Sequence, residues 1–491
     1  MRTVMVLLDS MNRHFLNIYG NNWVKTPNID RLAQDSVIFD NHWLGSAPCM
    51  PARRDIFTGR LNFLERNWGP IEPFDITLQH KLRENGIFTH ITTDHTHYAE
   101  PGGENYMQQF NTWEIIRGQE FDTWGSKVNP PELPDDYFGK AGVQYELNRE
   151  HFKEEKDYPT PKTMVSACDW VNNNAGADNF FLMVEGFDPH EPFDSPEEYL
   201  ELYEDDYDGP RYEWSGYEKV EEESPATQHL RKKYAATLTM ADHWLGKLID
   251  SLQENEMWED TLFILTTDHG HLLGEHGWTG KNKMHVYNEL AHLPLLISLP
   301  GNKRAGERIN ALTQNIDIMP TLLDYYNIEK PEPVQGYSLK GVLEGQIKEQ
   351  EHRDTALYGW HGKTVNITDG KYTYFRAPAR EDNYPCYVYG AIPTTLWTFM
   401  GKGKEKEIEM GRFLEHTDYP VYKIPMAKKG VKSKAIENVK ETLLFDIKND
   451  YNQEKPLNDK QIEEKMIKKL KKAMNKAQSP QEQFERLGLK D

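Results

Sequence analysis

Four short apolar runs along the chain each end at an aspartate, and three of them continue into a histidine. The runs are TVMVLLDS, GIFTHITTDH, NFFLMVEGFDPH and DTLFILTTDHG. Near-continuous apolar strands of this kind are typical of a parallel sheet that is buried on both faces. Between them lie segments with helical periodicity, TPNIDRLAQDS, DITLQHKLREN and YAATLTMADHWLGKLIDSLQEN. The alternation predicts an α/β fold, with a large mixed but mostly parallel sheet sandwiched by helices.

The polar residues that follow these strands predict a binding site at one edge of the sheet. In open α/β sheets, ligands bind outside the carboxyl ends of the strands. A single aspartate or histidine there is more often a helix cap or a satisfied core group, but four such strand ends favour a functional site. The residues concerned are Asp9, Asp94 with His95, Asp188 with His190, and Asp268 with His269.

The hydrophobic pattern changes after about residue 350. The segment TVNITDGKYTYFRAP alternates around an Asp-Gly turn, which predicts an antiparallel hairpin, and an amphipathic helix is expected from Asp459 to Ala477. We therefore expect a larger α/β domain in residues 1–350 and a smaller α+β subdomain with an antiparallel sheet in residues 351–491. The acidic segment from Tyr199 to Glu223 is predicted to be a solvated surface insertion.

Composition and charge exclude several classes of protein. The chain of 491 residues contains 12 tryptophans, 25 tyrosines and 20 phenylalanines, an aromatic content that argues against disorder. Its formal charge of −21 disfavours nucleic acid as a partner, although a local cluster of basic groups and a metal ion would still permit a small anionic substrate. No apolar run reaches the ~20 residues of a membrane helix. Since Asp9 interrupts the first run too early for a signal peptide, we expect a cytoplasmic protein without membrane association.

One cysteine has an unusual setting, in SAPCMPARRDIFTGR at residues 46–60. The three cysteines, Cys49, Cys168 and Cys386, are widely spaced and lack a CxxC pair, which argues against a disulfide framework and against a thiolate zinc site. We interpret Cys168 and Cys386 as small hydrophobic residues in or near the core. Cys49 is different, because prolines and arginines surround it.

The segment from Cys49 to Arg53 resembles the Cys-x-Pro-x-Arg signature of the formylglycine-dependent sulfatases of the alkaline phosphatase superfamily, and Thr-Gly-Arg follows at the family spacing. Other segments resemble the family in the same order, namely TPNIDRLAQDSVIFDNHW, FDPHEPF, TTDHGHLLGEHGWTGKN, YNELAHLPLLI, DIMPTLLD and LLFDIKND. The resemblance covers nearly the whole chain. It implies an alkaline phosphatase-like fold, a catalytic domain in residues 1–350 and the activity of a sulfuric ester hydrolase.

The resemblance implies that Cys49 does not remain a thiol. In the family this cysteine is oxidised to formylglycine by a formylglycine-generating or sulfatase-maturating enzyme, and Pro51 and Arg53 resemble the residues that this enzyme reads. One hydroxyl of the formylglycine hydrate attacks sulfur and the other later expels sulfate, so that one hard displacement becomes two easier steps. Arg53 is expected to stay beside the hydrate and stabilise its negative charge.

The resemblance also implies a divalent cation, with Asp9, modified Cys49, Asp268 and His269 as its ligands. Hard carboxylate ligands favour Ca²⁺, with Mg²⁺ or Mn²⁺ as alternatives. His269 stands where many family members have asparagine and where a subset, which includes phosphonate monoester hydrolases, has histidine. Because Ser10 replaces the second N-terminal acid of the family, the identity of the cation stays open.

Further residues are implied in contacts with the substrate. His190, in FDPHEPF, matches the histidine that protonates the departing alcohol as a general acid, and Lys281, in WTGKN, matches the lysine that contacts sulfate. Lys283 competes with Lys281, because the motif can be aligned either way. The Lys-x-His element of the family is replaced by TTDHTHY, which makes His95 and His97 candidates for the lost contacts.

A further candidate is His361, in YGWHGK, which would reach into the site from the C-terminal subdomain. The sequence leaves three functions open. The first is hydrolysis of sulfate monoesters, of a sulfated sugar or oligosaccharide or of aryl sulfates. The second is hydrolysis of phosphonate monoesters or phosphodiesters with the same nucleophile, which His269 favours. The third is a non-catalytic glycan-binding protein with an unmodified Cys49, against which the retained acids and His190 argue.

Overall fold

The structure is a computed structural model, and it describes residues 1–133, 135–140 and 142–490. Within these ranges, a nine-stranded sheet has the order β11-β2-β10-β7-β1-β6-β4-β5, and β12 also pairs with β2. All of its pairs are parallel except those of β10, which runs antiparallel to β2 and β7. Its strands are β1 (Arg2–Leu8), β2 (Val37–Trp43), β4 (Phe88–Thr93), β5 (Thr112–Ile115), β6 (Phe180–Gly186), β7 (Thr261–Thr266), β10 (His292–Ser298), β11 (Arg308–Ile309) and β12 (Thr313–Gln314). The four apolar runs are β1, β4, β6 and β7, so the predicted parallel sheet is confirmed.

Both faces of this sheet are covered, as the near-continuous apolar strands predict. Alternate side chains of β1 enter two different cores. Val4, Val6 and Leu8 pack with residues of α1, α6 and α8, whereas Met5 and Leu7 pack with residues of α2, α3 and α10. The helices are α1 (Pro27–Gln34), α2 (Cys49–Thr58), α3 (Leu78–Glu84), α4 (Glu104–Met107), α5 (Val143–Arg149), α6 (Pro159–Asn173), α7 (Glu197–Glu201), α8 (Pro225–Glu254), α9 (Asn288–Ala291), α10 (Ile318–Tyr325), α11 (Lys340–Leu343), α12 (Glu349–His352), α13 (Lys460–Lys476) and α14 (Gln481–Arg486).

The strands of the C-terminal part of the chain pair antiparallel with one another in two further sheets. One has the order β19-β15-β14-β13-β3, in which β3, from the N-terminal region, pairs parallel with β13, and the other has the order β16-β18-β17. Outside these sheets, β8 and β9 pair antiparallel by themselves. The predicted hairpin is the pair β14 and β15, turned at Asp369 and Gly370, and the predicted terminal helix is α13. The strands are β3 (Ser46–Ala47), β8 (Leu272–Leu273), β9 (Thr279–Gly280), β13 (Ala356–Trp360), β14 (Val365–Thr368), β15 (Tyr372–Arg376), β16 (Tyr387–Gly390), β17 (Glu409–Gly411), β18 (Val421–Pro425) and β19 (Leu443–Asp446).

The prediction of a solvated insertion between Tyr199 and Glu223 is wrong for its central part. Tyr212, Trp214 and Tyr217 are buried, and the Glu218 carbonyl accepts a hydrogen bond from the backbone of Thr279. The acidic residues dominate the composition of this segment, but its aromatic side chains decide its packing. The segment therefore lies against the strand that precedes Lys281.

In the part of the chain that the structure describes, no helix is long and apolar enough to cross a membrane.

Candidate active site

Cys49 lies at the first residue of α2, directly after the short strand β3. All ten residues of α2 are buried. Residues four positions apart share one face of a helix, and Arg53 Nη1 accordingly donates to the Cys49 carbonyl over 3.1 Å. The segment before Cys49 is anchored by Asp55, which accepts hydrogen bonds from the Ser46 amide and hydroxyl over 2.6 and 2.8 Å.

Arg53 is fully buried and pairs with three carboxylates. Nη2 lies 3.0 Å from Asp9 Oδ2, Nε lies 3.0 Å from Glu185 Oε1, and Nη1 lies 2.7 Å from Asp268 Oδ2. Burial alone would lower the pKa of Arg53, but the three carboxylates outweigh it and raise this pKa well above its usual value. Sequence reasoning missed Glu185. An acid inside the apolar run FFLMVEG was the available signal, since burying an unpaired carboxylate is costly.

Asp9, Cys49, Asp268 and His269 form a buried group whose potential ligand atoms all lie within 4.8 Å of one another. Cys49 Sγ is 3.2 Å from His269 Nε2, and Asp268 Oδ2 is 3.4 Å from the same nitrogen. The Nδ1 atom of His269 lies 2.8 Å from the Gly270 carbonyl, which fixes its proton on Nδ1 and turns the Nε2 lone pair towards the group. Burial lowers the pKa of His269 to about 4, which keeps the imidazole neutral, the form that binds metals.

The two buried aspartates of this group would be stabilised by nearby positive charge. Burial and the nearby Asp268 raise the pKa of Asp9 well above its usual range. Burial also acts to raise the pKa of Asp268, but His269 and Arg53 outweigh it and hold this pKa below its usual range. Asp9 Oδ2 is buried, and its ion pair with Arg53 lacks the geometry of a hydrogen bond. Two carboxylates and a neutral imidazole fit a divalent cation.

Ser10 orients both aspartates. Its amide donates to Asp268 Oδ1 over 3.0 Å, and its hydroxyl donates to Asp9 Oδ1 over 2.8 Å. The backbone of Ser10 has a φ of 62°, in the left-handed region that few residues other than glycine adopt. The residue that replaces the second acid of the family thus holds the other two acids in place.

The Cys49 thiol is a poor nucleophile in this environment. Burial raises its pKa well above the usual value, Asp9 and Asp268 raise it further, and Lys281 and Arg53 only partly oppose this. Because the thiolate is the reactive form of cysteine, a buried and protonated Cys49 is inert as it stands.

Of the two competing lysines, Lys281 lies beside the group and Lys283 does not. Lys281 is buried, and its Nζ donates to Ser10 Oγ over 3.1 Å and lies 3.7 Å from Glu191 Oε2. Burial acts to lower the pKa of Lys281, but Cys49, Glu191 and the aspartates raise it above the usual value. Lys283 is exposed and donates to the Gly216 carbonyl over 3.2 Å.

His190 lies next to Glu191, a second acid that sequence reasoning missed. The Nδ1 atom of His190 is 2.5 Å from the Glu191 carbonyl. Burial lowers the pKa of His190 well below its usual value, although Glu191 opposes this shift. The Glu191 carboxylate also lies 3.2 Å from His271 Nε2, so one buried acid positions His190, His271 and Lys281.

The two histidines of TTDHTHY occupy different positions. The His95 ring is fully buried, and neither of its nitrogens has a hydrogen-bond partner in the described part of the chain. Burial lowers the pKa of His95 well below its usual value, and the charges of Arg53 and Lys281 add to this effect, so the ring is neutral. His97 lies farther out, with Nδ1 3.1 Å from Glu100 and Nε2 3.4 Å from Glu120.

Two of the predicted strand-end acids do not join the group around Cys49. Asp94 accepts hydrogen bonds from the Phe187 amide, Thr160 and Gln119 over 2.7, 2.7 and 3.1 Å, and Asp188 faces the same glutamine. Both acids therefore anchor neighbouring loops, which corrects the prediction that all four strand ends form one site.

The C-terminal subdomain approaches the site through a residue other than the predicted one. His361 Nδ1 lies 3.0 Å from the Phe63 carbonyl and does not reach the group around Cys49. Lys363, two residues further along, donates to the carbonyl of Asn282, which follows Lys281.

Comparisons with known proteins find similar sequences and similar folds. The family model for sulfatases matches residues 2–328, and the model for the C-terminal region of N-sulphoglucosamine sulphohydrolase matches residues 274–384. An arylsulfatase of Clostridium perfringens is 26% identical over 384 residues, which cover 70% of this chain and 78% of the relative. An N-acetylglucosamine-6-O-sulfatase of Bacteroides thetaiotaomicron is 24% identical over 502 residues, which cover 84% of this chain and 85% of that relative.

Among solved structures, the phosphonate monoester hydrolase of Agrobacterium radiobacter superposes with a TM-score of 0.67 at 19% identity, over 97% of this chain and 95% of that one. At this identity the likeness shows a common fold. The sulfatase model spans most of the large α/β region, including Cys49, Arg53, His190 and Lys281. The chain belongs to the sulfatase family of hydrolases.

Proposed function

We propose that this protein hydrolyses sulfate monoesters of a carbohydrate, with formylglycine made from Cys49 as its nucleophile. The observation that carries this proposal is the position of Cys49, at the amino end of α2 and within 4.8 Å of the Asp9, Asp268 and His269 ligand atoms. The amino end of a helix favours negative charge. The relative that is named an N-acetylglucosamine-6-O-sulfatase supports a sugar substrate, and the arylsulfatase relative makes aryl sulfates suitable test substrates.

A divalent cation, Ca²⁺ by preference and Mg²⁺ or Mn²⁺ as alternatives, would be held by Asp9, modified Cys49, Asp268 and His269. When bound, it supplies the positive charge that lowers the pKa of the nucleophile and neutralises sulfate oxygens. Arg53 keeps Asp9 and Asp268 in their positions and adds positive charge below Cys49.

The remaining catalytic and sulfate-binding roles belong to Lys281, His95 and His190. Lys281 would contact the sulfate as a fixed positive charge, and His95 would add a hydrogen bond from a ring that has no other partner in the described structure. His190 would protonate the departing alcohol from Nε2, since Nδ1 is held by the Glu191 carbonyl. We place His97 at the rim, because both of its ring nitrogens face carboxylates.

The proposal includes a maturating enzyme as a partner. Cys49, Pro51 and Arg53 are all buried in the folded chain. An enzyme that reads these residues therefore needs an unfolded segment, so oxidation of Cys49 must precede the packing of α2. We further propose that the catalytic domain is residues 1–350 and that residues 351–491 form the smaller subdomain.

Mass spectrometry of the peptide that contains Cys49 tests the nucleophile. The protein is produced in cells with and without a sulfatase-maturating enzyme, and sulfate release from p-nitrophenyl sulfate and N-acetylglucosamine-6-O-sulfate is measured for each preparation. We expect the exchange of H₂S for oxygen at Cys49, and activity only in the preparation that carries it. An unmodified thiol in the presence of the maturating enzyme, or equal activity of both preparations, would refute the proposal.

A second candidate function is hydrolysis of phosphonate monoesters or phosphodiesters. His269 favours it, because its Nε2 lies in the ligand group where many sulfatases have an asparagine amide. Phenylphosphonate monoesters and bis(p-nitrophenyl) phosphate belong in the same assay. If either is hydrolysed with a much higher kcat/KM than every sulfate ester, this second function replaces the first.

A further inference from the structure

Glu120 is a buried acid beside the residue proposed as the general acid. It is 8% exposed, its Oε1 lies 3.7 Å from His190 Nδ1, and its Oε2 lies 3.4 Å from His97 Nε2. Burial raises the pKa of Glu120, which His97 partly opposes. Its side chain keeps some solvent contact next to His190, so the O–H or N–H groups of a ligand can donate to the carboxylate in place of water.

The loop of Glu120 is fixed on both sides. Gln119 donates to Asp94 over 3.1 Å, and Asp122 accepts hydrogen bonds from Arg117 Nε and the Gly118 amide over 2.7 and 2.8 Å. Glu120 itself has a φ of 44°, in the left-handed region. The surrounding contacts therefore hold the carboxylate at one place beside His190.

A tryptophan from the C-terminal part of the chain also lies beside His97. Trp397 is 55% exposed, its ring centroid lies 4.3 Å from that of Trp68 and 5.6 Å from that of His97, and its Nε1 donates to Glu100 Oε1 over 2.8 Å. A large aromatic ring that is exposed and yet held in place by a hydrogen bond is suited to stacking against a ligand.

The segment that carries Trp397 is anchored to the core. Arg66, which is fully buried, donates to the carbonyls of Ile392 and Thr394 over 2.8 Å each. The amides of Ala391 and Ile392 donate to Glu72 over 3.0 and 3.1 Å. Trp397 is thus presented by a fixed segment beside His97, the histidine that also faces Glu120.

We propose that Glu120 and Trp397 form the subsite for the alcohol part of the substrate, and that this alcohol is a saturated ring rich in hydroxyl or amino groups without a second anionic group at this end. One face of the ring stacks on Trp397, and its O–H or N–H groups donate to Glu120. Glu100 and His97 act as positioning residues, because they hold Trp397 and Glu120. This inference rests on the proposed function, since it places the leaving group on the side of His190 where His97 lies.

Charge decides what this subsite rejects. Glu100 and Glu120 both face His97. Two lysines act on Glu120: Lys281 lies 3.7 Å from Glu191, and Lys140 lies over the rings of Trp214 and Tyr217. A carboxylate or second sulfate placed against Glu120 would meet a like charge in a poorly solvated position, and such juxtaposition selects against a ligand.

Binding of the desulfated sugar tests the subsite without any need for turnover. The probes are methyl β-D-glucopyranoside and methyl β-D-glucuronide, which differ in the carboxylate, and binding is followed by saturation-transfer NMR on the full-length protein. We expect the glucoside to bind at least about 10-fold more tightly than the glucuronide. Glu120→Gln should narrow this ratio to within about 3-fold, and Trp397→Ala should weaken both probes by about 10-fold or more.

The matched control is Trp113→Ala, which removes a tryptophan that is 46% exposed on β5 and outside the site. It should bind both probes like the wild type. Equal binding of the two probes by the wild type, no detectable glucoside binding, or unchanged binding by Trp397→Ala and Glu120→Gln would each overturn the subsite. If the probes behave as expected but no sulfate ester is hydrolysed by the matured enzyme, the proposed function fails and the subsite stands.

Discussion

Lys281 Nζ donates a hydrogen bond to Ser10 Oγ over 3.1 Å, and the same hydroxyl donates to Asp9 Oδ1 over 2.8 Å. Ser10 therefore links the proposed sulfate-binding lysine to a proposed metal ligand. An acid at this position would provide a further hard ligand to the cation. The serine keeps one negative charge out of a group that already contains Asp9 and Asp268.

We predict that Ser10→Asp tightens the binding of a divalent cation. Affinity for Ca²⁺ rises with the number of charged ligands, and an increase of roughly 10-fold is expected, measured by calorimetric titration of the chelator-treated protein. Aspartate also tolerates the left-handed backbone of Ser10, whose φ is 62°.

Ser10→Asn is the control for that experiment, because it has the same shape and backbone tolerance without the charge. The aspartate variant should bind Ca²⁺ more tightly than the asparagine variant. Equal affinity of the two would show that the group at this position does not reach the cation.

Replacing Arg53 should destabilise the fold. Arg53→Met leaves Asp9, Glu185 and Asp268 buried without their shared partner, and loss of one partner from a buried ion pair costs about 3–5 kcal/mol of unfolding free energy. Urea unfolding in saturating Ca²⁺ measures this loss. Arg31→Met, which breaks an exposed pair with Asp250, is the comparison and should cost about 1 kcal/mol or less. Similar losses in both variants would contradict the central role of Arg53.

Stability should fall as the pH drops from about 6.5 to 4, in part because of His42. Burial lowers the pKa of His42 from 6.5 to about 4, while Thr313 and Asn315 bond its ring. The folded state then binds fewer protons than the unfolded state in this window, so acid favours unfolding. The contribution of neutral His42 to the free energy of unfolding is fully present above pH 6.5. About 2 kcal/mol of this contribution is lost when the pH falls from about 7 to about 5.

Urea unfolding at these two pH values checks this expectation. His42→Gln should reduce the pH dependence of the unfolding free energy by that amount. His80→Gln, which changes a histidine whose side chain is 57% exposed, is the comparison variant. If the unfolding free energy of both variants depends on pH as it does in the wild type, His42 is not the source of that dependence.

The two lysines of WTGKNK provide a matched pair. Lys281→Ala removes a buried positive charge next to Ser10 and Glu191, and it should lower kcat/KM for sulfate esters by roughly 10²-fold or more. Lys283→Ala removes an exposed side chain whose hydrogen bond is to the Gly216 carbonyl, and its kcat/KM should stay within about 3-fold of the wild type. Steady-state kinetics of the matured enzymes decides between them, and a larger loss in the Lys283 variant would reverse the assignment.

Much of this architecture follows from local patterns. The apolar runs predict β1, β4, β6 and β7, and the Asp-Gly turn predicts the hairpin of β14 and β15, because both depend on short-range periodicity and turn chemistry. The placement of Asp9 and Asp268 in one group follows from parallel strands that end at the same edge.

Contacts between distant segments could not be read from the sequence in this way. Asp94 and Asp188 end their strands as Asp9 and Asp268 do, yet they bond Gln119, from a loop with no periodic pattern. The position of Glu120 depends on that loop. The position of Trp397 depends on hydrogen bonds that Arg66, some 330 residues earlier in the chain, donates to the segment before it. Glu185 could have been predicted from the sequence, because an acid inside a buried strand requires a partner such as Arg53.

The role proposed for His190 predicts a dependence on the leaving group. His190→Asn should lower kcat/KM for a sugar sulfate by about 10²–10⁴-fold, because a sugar alkoxide needs a proton as it departs. The loss should be much smaller for p-nitrophenyl sulfate, since its phenolate is stable without protonation. A plot of log(kcat/KM) against the leaving-group pKa for substituted aryl and alkyl sulfates measures this, and the slope should be steeper for the variant. Equal losses on both classes would indicate that His190 positions the substrate through Glu120 and Glu191 and does not transfer a proton.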